Sequence, residues 1–202
     1  MADVYLIDLD AASAPPEGAS TPLDAAERER AGRFRDERDR RRYIAAHIAL
    51  RELLGEAQGC DPASVRILSA PCVVCLEQDH GKPFVDGGPH FNLSRSGRWA
   101  LIAIADEPVG VDVEEPQDPG RLDAIRADVL APGETTSGTP DDLLRIWVRK
   151  EAQLKASGDG LTRSMASFSV DPRVVDLVLP HGLVGAVWFT SETPATTRVR
   201  HR

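Results

Sequence analysis

The chain of 202 residues is 42% hydrophobic and 28% charged, which is typical of a soluble globular protein with one large domain or two small ones. Its net charge of −8 argues against a general nucleic-acid binder, which needs cations to neutralise phosphates. An aromatic fraction of 5% offers few rings for stacking on bases, so we expect no nucleic-acid partner.

A strand and two charged helices are predicted at the start of the chain. Val4–Asp10 is β-branched and aliphatic, which predicts a strand. The first residues include acids where a signal peptide would carry Lys or Arg, so we expect no signal peptide. No apolar run approaches the ~18–20 residues of a membrane helix, so we expect a cytoplasmic protein without membrane contact. A helical composition runs from Asp24, a favourable N-cap, to about Gly55, and Gly32 divides it into two helices. The buried stripe of the second helix is predicted to comprise Tyr43, Ala46, His47, Leu50, Leu53 and Leu54.

Strands dominate the middle of the chain. Residues 61–70 form a turn and a short strand, and a loop follows. The apolar segment Trp99–Ala105 and the segment Val109–Glu114 are separated only by a short turn containing D-E-P. This arrangement predicts an antiparallel hairpin.

Helices and strands alternate again towards the end of the chain. Helices are predicted over Arg121–Leu130 and from Asp141, as N-cap, to Gly158. We expect the final segment, 192–202, to be a loose tail. Three strand-like segments precede it, at 167–172, 174–180 and 185–191.

Acidic residues cluster at the end of the predicted strand Val109–Glu114, in the stretch G-V-D-V-E-E. Alternation places Asp112 and Glu114 on the same face, where two like charges raise each other's energy and a bound cation would relieve the repulsion. A D-x-E pair is also common on solvated strands, so this motif alone does not decide between a metal site and a surface.

A third acid with a neighbouring lysine lies on the last predicted helix. Glu151 and Lys155 are four residues apart and therefore share a helix face. Glu151 could join Asp112 and Glu114 to hold Mg²⁺, and Lys155 could neutralise a phosphate bound to that metal. An ordinary helix salt bridge of ~0.3 kcal/mol is the alternative.

Taken together, the motifs resemble those of a known family. G-V-D-V-E-E followed by W-V-R-K-E-A-Q-L-K-A-S-G-D-G-L is similar to the two signature motifs of the 4′-phosphopantetheinyl transferases, and H-F-N-L-S-R-S-G-R-W and G-K-P resemble further family elements. The resemblance runs from about Asp24 to Val170, and the length and the basic N-terminal helices are similar to the long, monomeric Sfp-type class. The matching positions are Gly110, Asp112, Glu114, Trp147, Lys150, Glu151, Ala152, Lys155, Gly158, Gly160 and Leu161.

The resemblance implies a transferase that moves the 4′-phosphopantetheine arm of coenzyme A onto a serine of an apo acyl or peptidyl carrier protein and releases 3′,5′-ADP. Such carriers serve polyketide and nonribosomal peptide biosynthesis, among other pathways. By this resemblance Asp112, Glu114 and Glu151 bind Mg²⁺, with Mn²⁺ as an alternative. Glu151 also helps to deprotonate the attacking serine, directly or through a metal-bound water, and Lys155 offsets charge on the pyrophosphate.

Coenzyme A also requires cations for its phosphates. Between Glu27 and Arg42 there are eight Arg and five acids, in an otherwise acidic protein. The resemblance makes Arg30, Arg42 and Lys82 coenzyme contacts, together with Ser94 and Arg95. The family usually has His where this chain has Arg95, and Arg keeps its charge at every pH. Surface ion pairs are the alternative role for the arginine-rich helices.

The implied fold is α+β, with two similar halves related by a pseudo-two-fold axis. Each half is a small antiparallel sheet packed with a helix, and the halves comprise residues 1–107 and 108–202. The first half would carry the coenzyme side, and the second the metal motifs and a carrier-docking region at 121–140. The resemblance also implies a monomer.

Two other functions share part of this chemistry. One is a catalytically silent module that binds coenzyme A or a carrier protein, and the other is a phosphohydrolase that cleaves the coenzyme pyrophosphate with water. Separately, Cys72, Cys75 and His80 have spacings that suit zinc, with Cys60 or His90 as a fourth ligand. Free thiols in a loop are the alternative.

Overall fold

The computed structural model describes residues 2–11, 21–71, 81–190 and 197–201. Its strands are β1 Ala2–Asp8, β2 Ile67–Ser69, β3 Pro83–Val85, β4 His90–Ser96, β5 Trp99–Ala105, β6 Val109–Glu114, β7 Val175–Leu177, β8 Val184–Phe189 and β9 Thr197–His201. Its α-helices are α1 Ala25–Gly32, α2 Glu37–Gln58, α3 Pro119–Ala124, α4 Arg126–Val129 and α5 Pro140–Ser157. Short 3₁₀ turns lie at Pro62–Ser64, Gly160–Thr162 and Met165–Ser167. The predicted α+β class is confirmed.

Two sheets and two long helices form four layers. The first sheet has the strand order β4-β5-β1-β9 and the second β6-β8-β7, while β2 and β3 pair separately. Alternate residues of the two sheets meet in a shared core that includes Val4, Leu101, Val111 and Val187. The other face of the first sheet is covered by α2, and the other face of the second by α5. Because successive side chains of a strand point to opposite faces, each sheet contributes residues both to the shared core and to the core under its own helix.

The two N-terminal helices begin and end at residues with recognisable capping chemistry. Asp24 caps α1 as predicted, within a capping box that includes Glu27. The predicted end of α2 at Gly55 is wrong, because the helix continues to Gln58 and ends at Gly59, whose φ of 67° only glycine adopts readily. Gly55 is instead a buried position within α2, where a Cβ atom would lie 2.8 Å from the carbonyl oxygen of Cys60.

The predicted hairpin between Trp99–Ala105 and Val109–Glu114 is wrong. β5 pairs with β4 on one edge and with β1 on the other, both antiparallel, so neither edge is left for β6. β6 pairs with β8 in the second sheet. The short D-E-P turn therefore carries the chain from one sheet to the other.

The C-terminal segment is also not the expected loose tail over its whole length. Thr197–His201 forms β9, which pairs in parallel with β1. Val199 packs against the shared core. Arg200 forms an ion pair with Asp3, with 3.1 Å between Nη2 and Oδ1. The first sheet is therefore mixed rather than antiparallel. Without β9, the outer edge of β1 would leave backbone N–H and C=O groups without strand partners, and β9 supplies those partners.

Smaller differences concern the last third of the chain. The predicted helix at 121–130 is divided into α3 and α4. The predicted strand at 167–172 is wrong, because Ser167 ends a 3₁₀ turn and the rest of this segment forms no strand. Thr139, not Asp141, caps α5, since its hydroxyl accepts a hydrogen bond from the Asp142 amide. Gly158 ends α5 as predicted, with φ 82°. No helix within the described ranges is both long and apolar enough to cross a membrane.

Candidate active site

A cavity of ≈ 320 Å³ opens where β4, β6 and α5 meet. Most of the residues predicted to act together lie in its wall, although they come from distant parts of the chain. The predicted coenzyme contacts Arg30, Arg42 and Lys82 are not part of this wall. The lining residues are Leu93, Ser94, Arg95, Asp112, Glu114, Trp147, Glu151 and Lys155.

The alternation of β6 directs its acids towards this cavity. Val109, Val111 and Val113 point into the shared core, so the intervening residues face the opposite way. Gly110 has no side chain because α5 passes directly above it, where a Cβ atom would lie 2.0 Å from the Ala152 carbonyl oxygen. This close approach brings the acids of β6 next to α5.

Asp112 is the most buried acid of the site, with 2% of its surface exposed. Its Oδ1 atom accepts hydrogen bonds from the Ser94 hydroxyl and from the Lys155 ammonium, both at 2.6 Å. Lys155 also donates to the Ser94 oxygen at 2.8 Å. Oδ2 is buried and has no hydrogen-bond partner among the described residues. One oxygen of Asp112 is thus fully engaged, and the other is left for a ligand.

The two glutamates of the cavity carry charge that their surroundings disfavour. Burial raises the pKa of Glu114, and the Asp112 carboxylate raises it further, against a lowering hydrogen bond from Ser96. Burial likewise raises the pKa of Glu151, again with a contribution from Asp112, while the Lys155 cation lowers it. Both glutamates would therefore be stabilised as carboxylates by an additional cation.

The carboxylate oxygens of Asp112, Glu114 and Glu151 suit a hard divalent cation, although they do not lie close enough together to form a complete metal site. Within the part of the chain that the structure describes, no three His, Cys, Asp or Glu residues lie close enough to hold a metal ion as they stand. Asp112 Oδ2 nevertheless lacks a partner among the described residues, and the pKa values of Glu114 and Glu151 are raised. Both observations indicate that the cavity has too little positive charge to balance its three carboxylates. Carboxylate oxygens with room for water and phosphate are the usual environment of Mg²⁺.

Arg95 lies on the side of the cavity that faces α2. Its guanidinium stacks over the Tyr43 ring, 5.4 Å from the centroid. Burial lowers the pKa of Arg95, and the nearby cation of Arg30 lowers it further, but a guanidinium stays charged at neutral pH. Two neighbouring cations beside the cavity provide the positive potential that an anionic ligand requires.

The other two predicted coenzyme cations already have protein partners. Arg42 donates from Nε and Nη2 to the two carboxylate oxygens of Asp10, at 2.7 and 2.6 Å. Lys82 donates to the carbonyl oxygens of Ala156, at 2.6 Å, and Val109, at 3.3 Å. It thereby joins the segment before β3 to the end of α5 and the start of β6, and burial lowers its pKa to about 8.

Comparison with known proteins identifies relatives of this chain. Residues 108–186 match the model of the 4′-phosphopantetheinyl transferase superfamily. A 4′-phosphopantetheinyl transferase of Bacillus subtilis is 32% identical over 172 residues, which cover 79% of this chain and 72% of that relative. The chain belongs to the 4′-phosphopantetheinyl transferase family. The resemblance recognised in the sequence motifs is thus confirmed.

Two further relatives show how far the similarity of this family member extends. The 4′-phosphopantetheinyl transferase HetI from a Nostoc species is 30% identical over 173 residues, which cover 79% of this chain and 70% of HetI. Sfp from Bacillus subtilis strain 168 is 29% identical over 153 residues, which cover 71% of this chain and 63% of Sfp. The chain therefore spans slightly less than two thirds of Sfp. The superfamily match contains Asp112, Glu114, Glu151 and Lys155.

The structure adds two residues of the family motifs to which the sequence assigned no contact. The Ser96 hydroxyl donates a hydrogen bond to Glu114 Oε2 at 2.6 Å. Lys150 is fully buried and donates to the carbonyl oxygens of Val129 and Met165, at 2.7 and 2.9 Å, and to Glu134. The alternation N-x-S-x-S on β4 was the available signal for Ser96, whereas nothing local distinguishes a buried lysine from an exposed one.

The cysteine hypothesis is only partly covered by the structure. Cys60 is exposed and forms no disulfide within the described ranges. Cys72, Cys75 and His80, the proposed zinc ligands, lie outside the described residues.

Proposed function

We propose that this chain transfers the 4′-phosphopantetheine arm of coenzyme A to a serine of an apo acyl or peptidyl carrier protein, in a reaction that depends on Mg²⁺. The serine oxygen forms a bond to the phosphorus that bears the pantetheine arm, the pyrophosphate bond breaks, and 3′,5′-ADP leaves with the bonding electrons. The observation that carries this proposal is the convergence of three acids and Lys155 on one cavity in a member of this family.

Asp112, Glu114 and Glu151 are the proposed ligands of the metal. When bound, Mg²⁺ would polarise the phosphorus under attack and stabilise charge on the leaving phosphate, and Mn²⁺ would be an alternative. The support is the unpartnered Oδ2 of Asp112 and the burial that raises the pKa of both glutamates.

Glu151 and Lys155 are the proposed catalytic residues. Glu151 lines the cavity, where its carboxylate would accept the proton of the carrier serine. The Glu151 carboxylate accepts no hydrogen bond from another described residue, which leaves both its oxygens available. Lys155, already bound to Asp112, lies one helical turn further along the same wall and would offset charge on the pyrophosphate.

The coenzyme phosphates are proposed to contact Arg30, Arg42, Lys82, Ser94 and Arg95. Arg95 is the best supported, because it lines the cavity and Tyr43 orients it. Arg42 and Lys82 would act with the donors that their present partners leave: Nη1 of Arg42 and the third ammonium hydrogen of Lys82. The single hydroxyl hydrogen of Ser94 is engaged by Asp112, so a direct bond to phosphate requires that contact to open.

A second cavity offers a surface for the carrier within the proposed docking region at 121–140. It has a volume of ≈ 270 Å³ and adjoins the first cavity, since Glu114 and Trp147 line both. Leu122 and Leu144 line this cavity but are buried in the protein's own core, so they offer little surface for docking. The remaining lining residues are Gln117, Arg121 and Ile125. Exposed Arg121 beside this apolar surface suits an acidic carrier helix.

The division into similar halves, 1–107 and 108–202, is also a proposal. Its support is that one long helix, α2 or α5, covers the outer face of each sheet, while the cavity lies between them. The pairing of β9 with β1 then ties the end of the second half to the first. We propose that a single chain contains the complete site and acts as a monomer.

Intact mass spectrometry of an apo carrier protein tests the function. Incubation with the protein, coenzyme A and Mg²⁺ should add one phosphopantetheine to the carrier, and a chelator or Glu151→Ala should abolish the addition. Glu52→Ala, an exposed acid on α2 away from the cavity, is the matched control and should remain active. Coenzyme A binding without transfer to any carrier would instead indicate the silent binding module. Release of free phosphopantetheine would indicate the phosphohydrolase.

A further inference from the structure

The edge strands of the two sheets, β4 and β6, are joined by side chains instead of by a backbone ladder. Backbone amides of β6 and of the residue after it donate to side-chain oxygens of β4 at every second residue. Val111 donates to Asn92 Oδ1 at 2.9 Å, Val113 to Ser94 Oγ at 3.4 Å, and Glu115 to Ser96 Oγ at 3.0 Å. Asn92, Ser94 and Ser96 thus serve as the missing strand partners of β6, and we call this set the polar seam.

Two members of the polar seam also bind the acids of β6. The Ser94 hydroxyl donates to Asp112 Oδ1 and the Ser96 hydroxyl to Glu114 Oε2, each at 2.6 Å. The same relation therefore repeats two residues along both strands. Ser96 is nearly buried, with 9% of its surface exposed, so water does not compete freely for this contact.

On each of these acids, one carboxylate oxygen is engaged by a serine and the other is not. Among the described residues, the buried Asp112 Oδ2 has no hydrogen-bond partner. Both hydrogen bonds to the Glu114 carboxylate, the short one from Ser96 and a longer one of 3.4 Å from Gln117 Nε2, are accepted by Oε2, which leaves Oε1 free. A carboxylate held through one oxygen has its second oxygen fixed in direction, because the carboxylate group is planar. The seam therefore determines where the free oxygens of two proposed metal ligands lie.

We propose that Ser96 is a positioning residue, which holds Glu114 through Oε2 so that Oε1 is presented to a divalent cation. This inference rests on the metal dependence proposed above. Under this proposal, the Ser94 and Ser96 hydroxyls contact the acids of β6. Arg95, which lies between them in sequence, points to the opposite face of β4 and is the proposed contact of the anionic ligand. Removal of a group that orients a metal ligand weakens metal affinity by ~10–100-fold.

Mn²⁺ binding to the full chain tests the proposal without relying on turnover. Free Mn²⁺ is measured by electron paramagnetic resonance during titration, with saturating coenzyme A and no carrier protein. Ser96→Ala should weaken Mn²⁺ binding at least ~10-fold, and Ser96→Thr, which keeps the hydroxyl, should restore it. Ser96→Cys replaces the strong donor with a weak one at nearly the same volume, and should also weaken binding.

Asn92→Ala is the matched control, because it removes the equivalent acceptor for a β6 amide without touching a carboxylate. Urea unfolding of both alanine variants should show similar losses of stability, whereas only Ser96→Ala should lose Mn²⁺ affinity. Equal Mn²⁺ binding by wild type and Ser96→Ala, or equal weakening by Asn92→Ala, would overturn the positioning role alone. Absence of Mn²⁺ binding to the wild type would overturn this role and the proposed metal dependence together.

Discussion

Replacement of Gly110 by alanine tests whether the contact between β6 and α5 sets the geometry of the cavity. The added Cβ atom would lie 2.0 Å from the Ala152 carbonyl oxygen and 2.5 Å from the Ala156 amide nitrogen, whereas an ordinary contact begins at 3.4 Å. Both neighbours are backbone atoms of α5 and cannot rotate away. The strand and the helix must therefore separate by about 1.4 Å.

This separation should affect stability and activity by different amounts. Overpacking of a closed interface costs about 1–3 kcal/mol in the free energy of unfolding. Because Asp112 lies on β6 and Glu151 on α5, the shift also moves the two acids apart, and a displacement of ~1 Å at a reacting centre reduces the rate by ~100-fold. We expect Gly110→Ala to fold with reduced stability and to transfer phosphopantetheine about two orders of magnitude more slowly.

Urea unfolding and the carrier mass assay measure these two effects. Gly32→Ala is the matched control, since its Cβ atom would have no neighbour within 4 Å. That control should be neutral or more stable by about 0.4–1 kcal/mol. If Gly110→Ala retained both the stability and the rate of the wild type, the claim that close helix approach defines the site would be refuted.

Three further predictions concern buried or substituted cations. Lys150→Met should destabilise the protein by about 3–5 kcal/mol because it leaves the Glu134 carboxylate without its buried partner, and adding Glu134→Gln should recover part of the loss in urea unfolding. Burial lowers the pKa of Lys82 to about 8, so between pH 8 and its ordinary value of 10.5 the unfolded chain binds more protons. The stability of the wild type should therefore rise with pH across this window relative to Lys82→Met, and parallel pH profiles would contradict the assignment. Arg95→His should lose affinity for coenzyme A from pH 5.5 to 8, as the imidazole loses its proton, whereas the wild type should not; matching profiles in calorimetric titrations would count against a phosphate contact.

The sequence predicted those features that depend on neighbouring residues along the chain. The period of two in V-D-V-E placed Asp112 and Glu114 on one face, and the spacing of four placed Glu151 above Lys155. Capping chemistry located the start of α1 and the end of α5, at Asp24 and Gly158. These predictions succeeded because strand alternation, helix periodicity and capping are local properties of the backbone.

Motif resemblance extended the prediction to the family and to the acids that share the cavity. It assigned phosphate contacts by position, however, and could not see the partners that the fold supplies. Arg42 forms a two-point ion pair with Asp10, which is distant in sequence, and Lys82 binds carbonyl oxygens at the end of α5. Whether an arginine or lysine is available to a ligand depends on such long-range contacts.

The pairing of strands was decided only by the tertiary structure. Every strand has two edges, and alternation determines which face of a strand is buried but not which neighbour satisfies its amides. For this reason β5 and β6, adjacent in sequence, belong to different sheets, and β9 joins β1 from the far end of the chain. The same choice put β4 beside β6, where Ser96 meets Glu114. Local sequence pattern thus established which acids face the site, whereas the packing of the two sheets and α5 established which side chains hold those acids.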